Sequence, residues 1–284
     1  TVDEAEELLD ALEEAPEPAP ELKVEIIGES QKLKHALAIM DKAAKAESPV
    51  LIVGESGTGK ELAGRYIHQK SARRDRPFTA VNCATLPEVL LESELFGHER
   101  GAFTGAVSAK RGLIESAYGG TLFLDEITAL PIESGRRLQR FIADGEIYRV
   151  GGTETIPVDV RVIAATNRNL EVEVNQNRFD RNLFYSLSVI TITMPPLREM
   201  KEDIPLLAEY FLKSRAAKNN RAVPTISDEA LTVLNDYSWP GNVREFANVI
   251  ERALVFCEDD IILLEHVILP PDRLEEVQKR MEEL

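Results

Sequence analysis

The stretch Gly54, Glu55, Ser56, Gly57, Thr58, Gly59, Lys60 and Glu61 constrains this chain more than any other. A short apolar run, residues 50–53, precedes it, and a helix-like run, residues 62–69, follows it. Strand, glycine loop and helix in that order are the parts of a phosphate-binding loop. Glycines let successive backbone N–H groups turn inward around phosphate oxygens, and the following helix N-terminus adds positive dipole. Lys60 supplies a point charge for the β- and γ-phosphates. Glu61 stands where the general pattern has Ser or Thr on magnesium. A Mg2+ ion must therefore rely on an acid elsewhere, on water and on the phosphates.

The remaining pattern suits such a loop. Apolar runs at 50–53, 78–83, 121–124, 160–165 and 189–194 alternate with helical stretches. This predicts an α/β fold, a largely parallel sheet with helices on both faces. Beyond residue 205 the strands stop, and 206–218, 227–237, 243–256 and 263–269 read as helices. Ser227 precedes an acidic first turn, a good helix start. Trp239, Pro240, Gly241 and Asn242 break the chain between two of these helices. The expected organisation is an acidic helix and Pro-rich linker over 1–25, an α/β nucleotide-binding subdomain over 26–204, a helical lid over 205–269 and a charged tail over 270–284. Within 1–15, Val2, Ala5, Leu8, Leu9 and Leu12 form an apolar stripe that Thr1 can cap. That segment is either a solvated arm or a linker helix pairing with a neighbouring subunit or regulatory domain.

Charge narrows the partners. The 284 residues hold 49 acids and 33 Lys or Arg, a net charge of −16. Residues 1–25 carry ten acids against Lys23 alone, which leaves 39 acids and 32 bases, −7, for the rest. Neither part has the basic balance of a general DNA-binding surface. Cys83 and Cys257 are too few for a disulfide framework, which fits a reducing compartment. No signal peptide or long apolar run is present, so a soluble, cytoplasmic chain with no membrane partner is expected. The first residue is Thr1, not Met, and the chain reads as a piece of a longer protein.

Three further motifs carry chemistry. Residues 119–126 form an apolar strand ending in Asp125 and Glu126. Many strands end in solvated acids, but one that follows a phosphate loop can face it. Asp125 can then hold Mg2+, and Glu126 can orient and deprotonate the attacking water. Residues 160–167 form another apolar strand, and Asn167 at its tip either begins a turn or touches the γ-phosphate or its water. Arg244 follows the Trp239–Asn242 break, on the first turn of a lid helix, where it can lean over a nucleotide or, as such arginines more often do, make a surface salt bridge.

Together these motifs resemble the AAA+ ATPases. A further run narrows the resemblance: Gly101, Ala102, Phe103, Thr104, Gly105 and Ala106, preceded by residues 94–100. It is similar to the signature of bacterial enhancer-binding proteins, the NtrC-like activators of sigma-54 RNA polymerase. In that family this loop projects from a ring and grips sigma-54. Gly101 and Gly105 suit a mobile hairpin with Phe103 exposed at its tip, where it needs a partner, the alternative being a buried loop with Phe103 in the core. The resemblance covers about 26–269 and implies residue roles. Lys60 matches the phosphate-loop lysine, and Asp125 and Glu126 the metal and water carboxylates. Asn82 matches a switch residue that holds the catalytic Glu. Asn167 and Arg244 match the first and second sensors, and residues 146–152 a second surface loop that moves with the first. ATP and Mg2+ are the implied ligands. The implied partners are sigma-54 RNA polymerase holoenzyme and further copies in a hexameric or heptameric ring. Promoter or enhancer DNA would be met only through a domain outside this chain.

One departure from the family pattern affects activity. The family has Phe-Arg-x-Asp-Leu-x-x-Arg-Leu, whose two arginines enter a neighbour's ATP site. Here Asp180 and Ser186 occupy those positions, flanked by Arg178 and Arg181. Losing such an arginine costs about 10³-fold or more in rate. Either Arg181 replaces a finger, with Arg178 second, or the chain is a degenerate subunit that needs an active partner.

Overall fold

The structure is a computed structural model that describes residues 24–218, 221–258 and 260–269. The expected acidic helix and linker of 1–25, up to residue 23, and the tail 270–284 lie outside the described residues. Helix α1 (Gln31–Ala44) starts at Ser30, whose Oγ accepts from the Leu33 N–H at 3.4 Å. Strand β1 (Val50–Val53) leads through the glycine loop into α2 (Lys60–Gln69). Then come β2 (Phe78–Asn82), α3 (Glu88–Phe96), α4 (Leu113–Ser116), β3 (Thr121–Asp125) and α5 (Ile132–Asp144). A short hairpin of β4 (Glu146–Ile147) and β5 (Ile156–Pro157) precedes β6 (Arg161–Thr166). Helices α6 (Leu170–Asn175) and α7 (Arg181–Leu187) and strand β7 (Ile190–Thr193) complete the α/β unit.

The main sheet is parallel throughout, in the order β2-β3-β6-β1-β7. Its strands are apolar on both faces because helices cover both. Leu51, Leu122, Leu124, Val162 and Ala164 pack on one side with Leu95, Leu138 and Leu183. Val50, Ile52, Phe123, Ile163 and Ala165 pack on the other with Met40, Ala63 and Ile67. Between β6 and β7 lies β1, and the loop after β1 leaves the sheet at its C-terminal edge. In open parallel sheets ligands bind at that edge, where the strand order reverses.

Beyond β7 comes the helical lid, whose first α-helix starts at Ile204. It contains α8 (Ile204–Lys218), α9 (Asp228–Asp236) and α10 (Asn242–Phe256). Ser227 caps α9 by accepting from the Ala230 N–H at 3.3 Å, as the acidic first turn led one to expect. The lid core centres on Trp239, which is fully buried. Its ring meets those of Tyr237 and Phe246 edge-on, both at 4.8 Å, and its Nε1 donates to the Leu234 carbonyl at 2.8 Å. The expected helix over 263–269 is corrected to a single 3-10 turn, Leu264–His266. Residues preceding it are held extended by a short parallel pairing of β8 (Thr225–Ile226) with β9 (Ile261–Ile262). Among the described residues no helix is long and apolar enough to cross a membrane.

Gly64 lets α2 lie close against the sheet, since a Cβ there would sit 2.5 Å from the Phe123 ring. Phe123 is 1 % exposed and has no room to yield. Gly64→Ala should therefore destabilise the α/β unit by about 1–3 kcal/mol, an overpacking cost that outweighs the gain in helix propensity. A urea unfolding midpoint at or above that of the unaltered protein would show that the packing relaxes freely.

Candidate functional site

The phosphate loop is shaped by left-handed backbone at Gly57 (φ 80°) and Gly59 (φ 87°). Thr58 Oγ1 donates to the Glu55 carbonyl at 2.8 Å, which folds the loop on itself. Lys60, the first residue of α2, is 7 % exposed. Its Nζ donates to the carbonyls of Gly54 at 3.0 Å and Glu55 at 3.2 Å. Burial pulls its pKa below the usual lysine range, while the Glu126 and Asp125 carboxylates push the other way and Arg244 adds to the depression. The neighbouring strand ends are tied in: the Gly54 N–H donates to the Thr166 carbonyl of β6 at 3.1 Å, and the Met194 N–H to the Val53 carbonyl at 2.7 Å.

At the tip of β3, Asp125 sits beside Asn82 because the β2–β3 register pairs those two positions. The Asp125 carboxylate accepts from the Glu126 N–H at 3.0 Å and from Asn82 Nδ2 at 3.5 Å. Glu126 is held at φ 49°, ψ 48°, a left-handed conformation that costs a non-glycine residue about 1–3 kcal/mol. Such strain is common where a side chain must be aimed. Cys83 lies behind this pair, and its thiol is pushed up to about 12 by burial first and then by the Asp125 and Glu126 carboxylates.

The lid reaches the same loop. Arg244 Nη1 donates to Ser56 Oγ at 3.2 Å, and its backbone N–H to the Gly57 carbonyl at 3.3 Å. A groove of about 530 Å3 opens beside Glu55, lined among others by His35, Met194, Pro196 and Arg198. That volume falls in the range of small-ligand sites, about 300–1,000 Å3.

Two family models match consecutive parts of the chain: the sigma-54 interaction domain over residues 26–193 and the AAA+ ATPase lid domain over 198–283. The DNA-binding transcriptional activator HyfR of Escherichia coli is 52% identical over 250 residues, 88% of this chain and 37% of HyfR. This chain belongs to the NtrC-like sigma-54 activators. The Nif-specific regulatory protein of Azotobacter vinelandii is 48% identical over 244 residues, 86% of this chain and 47% of that protein. The chain thus spans half or less of either relative. NtrX from Brucella abortus, solved in complex with ATP, superposes with a TM-score of 0.81 at 32% identity over 99% of this chain and 64% of NtrX. A RuvB variant of Thermotoga maritima shares the fold at a TM-score of 0.54 and 20% identity, over 91% of this chain and 70% of RuvB. The family identifies the fold as AAA+, an α/β P-loop subdomain followed by a helical lid.

Within this family framework the structure brings together Lys60, Asp125, Glu126, Asn82 and Arg244. Asn167 lies just past the end of β6, exposed, and the Gly54 contact puts that strand end beside the loop. Glu61 turns its carboxylate outward onto Arg65, accepting at 2.8 and 3.0 Å, because (i, i+4) partners meet on a helix surface. Two expectations are corrected. Asn82 faces Asp125, not Glu126, because the strand register decides its neighbour. Phe103 is half-buried rather than exposed, its ring edge-on to His98 at 5.1 Å. The loop closes that contact itself: the Gly101 N–H donates to the Ala106 carbonyl at 2.9 Å and the Ala106 N–H to that of Phe103 at 3.0 Å. Gly101 (φ 82°) and Gly105 (φ 108°) are left-handed with open space around them, and Ala102 and Thr104 lie between.

The second surface loop is laced to the first. Arg149 donates to Glu115 at 2.8 and 3.0 Å and to Glu99 at 3.1 Å, and the Glu99 N–H donates to the Val150 carbonyl at 3.0 Å. At the altered arginine positions, Asp180 caps α7 by accepting from the Leu183 N–H at 2.8 Å. Arg178 is committed to Glu173 at 2.7 and 2.9 Å. Arg181, at the first turn of α7, is exposed, and Ser186 lies half-buried on the same helix. Sequence reasoning missed Arg198 and Asn242, which tie the hinge and the lid to the loop at Glu55, and Asp203, which ties the hinge to the start of α1. Their partners lie 143 to 187 positions away, and no local spacing marks such contacts.

Proposed function

We propose that this chain is the ATP-hydrolysing module of a sigma-54-dependent transcriptional activator, which remodels sigma-54 RNA polymerase through the loop carrying Phe103. The observation that carries the reading is the meeting of a buried Lys60 with Asp125 and Glu126 at one sheet edge. Lys60 and the loop N–H groups bind the phosphates, and the groove beside Glu55 gives room for base and ribose. Glu126 orients and deprotonates the attacking water, Asn82 steadies the acid pair, and Asn167 and Arg244 meet the γ-phosphate from β6 and from the lid. The donor set fits a hard cation. Asp125 offers carboxylate oxygen, and among the described residues no cluster of three or more acids, His or Cys stands by, so Mg2+ would take its other ligands from phosphate and water. When bound, Mg2+ supplies neutralisation of the phosphate charge. The working form is a cytoplasmic ring, hexameric or heptameric, in which heterologous contacts place one copy at the next copy's nucleotide. DNA is met through other parts of a longer protein.

A second reading is favoured by Asp180 and Ser186: a degenerate subunit with weak hydrolysis that works beside an active partner. Between the flanking arginines, Arg178 is engaged with Glu173, which leaves exposed Arg181 as the cation able to reach a neighbour.

Division of roles between charge and water activation sets the first test. Lys60→Ala should weaken ATP binding by at least about tenfold. Glu126→Ala should bind ATP within a few-fold of the unaltered protein yet lose about 10²–10⁴-fold in turnover. Equal losses of affinity in both variants would sink the assignment.

For the loop, Phe103→Ala and Thr104→Ala should each hydrolyse ATP at close to the unaltered rate and fail to co-sediment with sigma-54. Because Phe103 rests on His98, a small stability loss is expected from its removal. A drop of about 3–5 kcal/mol, the cost of a core aromatic, would instead make the loop structural.

Arg181→Ala, assayed above the assembly concentration, should lower turnover by about 10³-fold without preventing assembly. If its rate is unchanged while Asp180→Arg with Ser186→Arg raises turnover by orders of magnitude, the degenerate-subunit reading holds and Arg181 is no finger.

A further inference from the structure

One carboxylate of the phosphate loop joins three separate pieces of chain. Glu55 accepts from both arms of the Arg198 guanidinium, Nη2 at 2.6 Å and Nη1 at 2.8 Å. Its Oε2 also accepts from Asn242 Nδ2 at 3.2 Å. Arg198 belongs to the 3-10 turn Leu197–Glu199, which carries the chain from β7 toward the lid. Asn242 is the first residue of α10, two positions before Arg244. Loop, hinge and lid helix therefore meet at Glu55.

The geometry around Asn242 is specialised for this contact. The residue is fully buried and sits at φ 52°, where side chains other than glycine are strained. Its Oδ1 accepts from the Leu197 N–H at 2.8 Å, and its Nδ2 also donates to the Ser56 carbonyl at 3.0 Å. From the loop side, a Cβ on Gly57 would meet the Gly241 carbonyl at 2.2 Å, so the lid helix presses directly on the loop. Elsewhere the hinge is fixed by fully buried Asp203, whose Oδ1 accepts from the N–H groups of Glu29 at 2.6 Å and Ser30 at 2.8 Å. The Glu55–Arg198 pair differs from Asp203 in being wet, with side chains 44% and 41% exposed. A dry contact resists opening, whereas a hydrated bidentate pair can break and reform.

We infer that Glu55, Arg198 and Asn242 form a releasable latch, with Asp203 as its pivot, that sets the lid against the phosphate loop and so delivers Arg244 to the nucleotide site. The three are positioning residues that act through Arg244 and through the wall of the groove beside Glu55. Arg198 first and then Asn242 hold the Glu55 carboxyl down to about 2, so its charge persists at any neutral pH. The inference rests on the proposed ATP site only for what Arg244 does there; the latch itself does not depend on hydrolysis.

The test measures lid position first. Spin labels on Lys42→Cys of α1 and Glu229→Cys of α9 report the distance between subdomains in the full chain without nucleotide. Both sites are exposed, while Cys83 and Cys257 are buried. With Glu55 and Arg198 intact, the distribution should be narrow. Glu55→Gln and Arg198→Ala should each add a second, displaced population, and Arg198→Lys, which keeps charge but loses the fork, should fall between. Distributions that superimpose on the unaltered one overturn the latch. The second readout is ADP dissociation, expected to quicken by about tenfold in Arg198→Ala and to be non-additive with Arg244→Ala. Strict additivity would make Arg198 a merely structural contact. If the unaltered chain proved unable to hydrolyse ATP, the distance result would still decide the latch, and only the functional reading would fall.

Discussion

A buried ammonium group organises this structure. Lys60 is nearly excluded from solvent, and an uncompensated charge in that position would be prohibitively costly. The protein meets it with two loop carbonyls and with the carboxylates at the end of β3. That requirement propagates outward. For Asp125 and Glu126 to stand near Lys60, β3 must end at the same edge of the sheet from which the loop departs. The parallel order β2-β3-β6-β1-β7 achieves this, with β6 between the acids and the loop. The same edge then receives Thr166 and Asn167 from β6 and the lid from beyond β7. Such an arrangement of opposed charges around a small gap is poised for an anion that repartitions them.

How much of this was legible in the sequence depended on range. The glycine loop, the strand runs and the acids at 125 and 126 are local patterns with local causes, and the structure places them at one edge. Ser227 as a helix start was legible because a cap is decided within four residues. The residues 263–269 were misread because the two residues just before them, Ile261 and Ile262, are drawn into an extended pairing with residues 225–226, far earlier in the chain. Asn82 failed as a contact of Glu126 for the same reason in miniature: the strand register gave it Asp125. Phe103 looked exposed because glycines flank it, yet His98, five residues upstream, offers a ring to rest on.

The two ends of the α/β unit are connected by short, stiff pieces. Beyond Glu126 the chain makes a 3-10 turn, Ile127–Ala129, then α5, then directly the second surface loop. That loop is bonded to the first through Arg149, Glu99 and the Val150 carbonyl, and Gly151 stands so close to Ala102 that a Cβ would come within 2.8 Å. Close packing without room to give transmits displacement better than a flexible tether does. The turn after Glu126 and the loop bonded to the Phe103 hairpin are thus joined by α5, a continuous element of thirteen residues.

The altered arginine positions look different once Asp180 is seen in place. A bare carboxylate pointed at a neighbour's phosphate would oppose the negative charge that builds in phosphoryl transfer. Asp180 is not bare. It accepts from the Leu183 N–H at the positive end of α7, is only 14% exposed, and has Arg136 Nε 3.8 Å away. Helix dipole, hydrogen bond and ion pair each draw on its charge, so the field it projects outward is much weaker than that of a free anion. If a neighbour's nucleotide meets this helix, as proposed, the substitution acts mainly by removing a cation, and Arg181, one residue further along, is the one proposed to replace it. Arg181 fits electrostatically but at a cost in the helix itself, because a positive side chain in the first turn opposes the dipole that Asp180 satisfies. That cost would be relieved when a neighbour's phosphate comes within reach. An arginine disfavoured in the isolated subunit and favoured against a bound nucleotide would couple ring assembly to occupancy of the site.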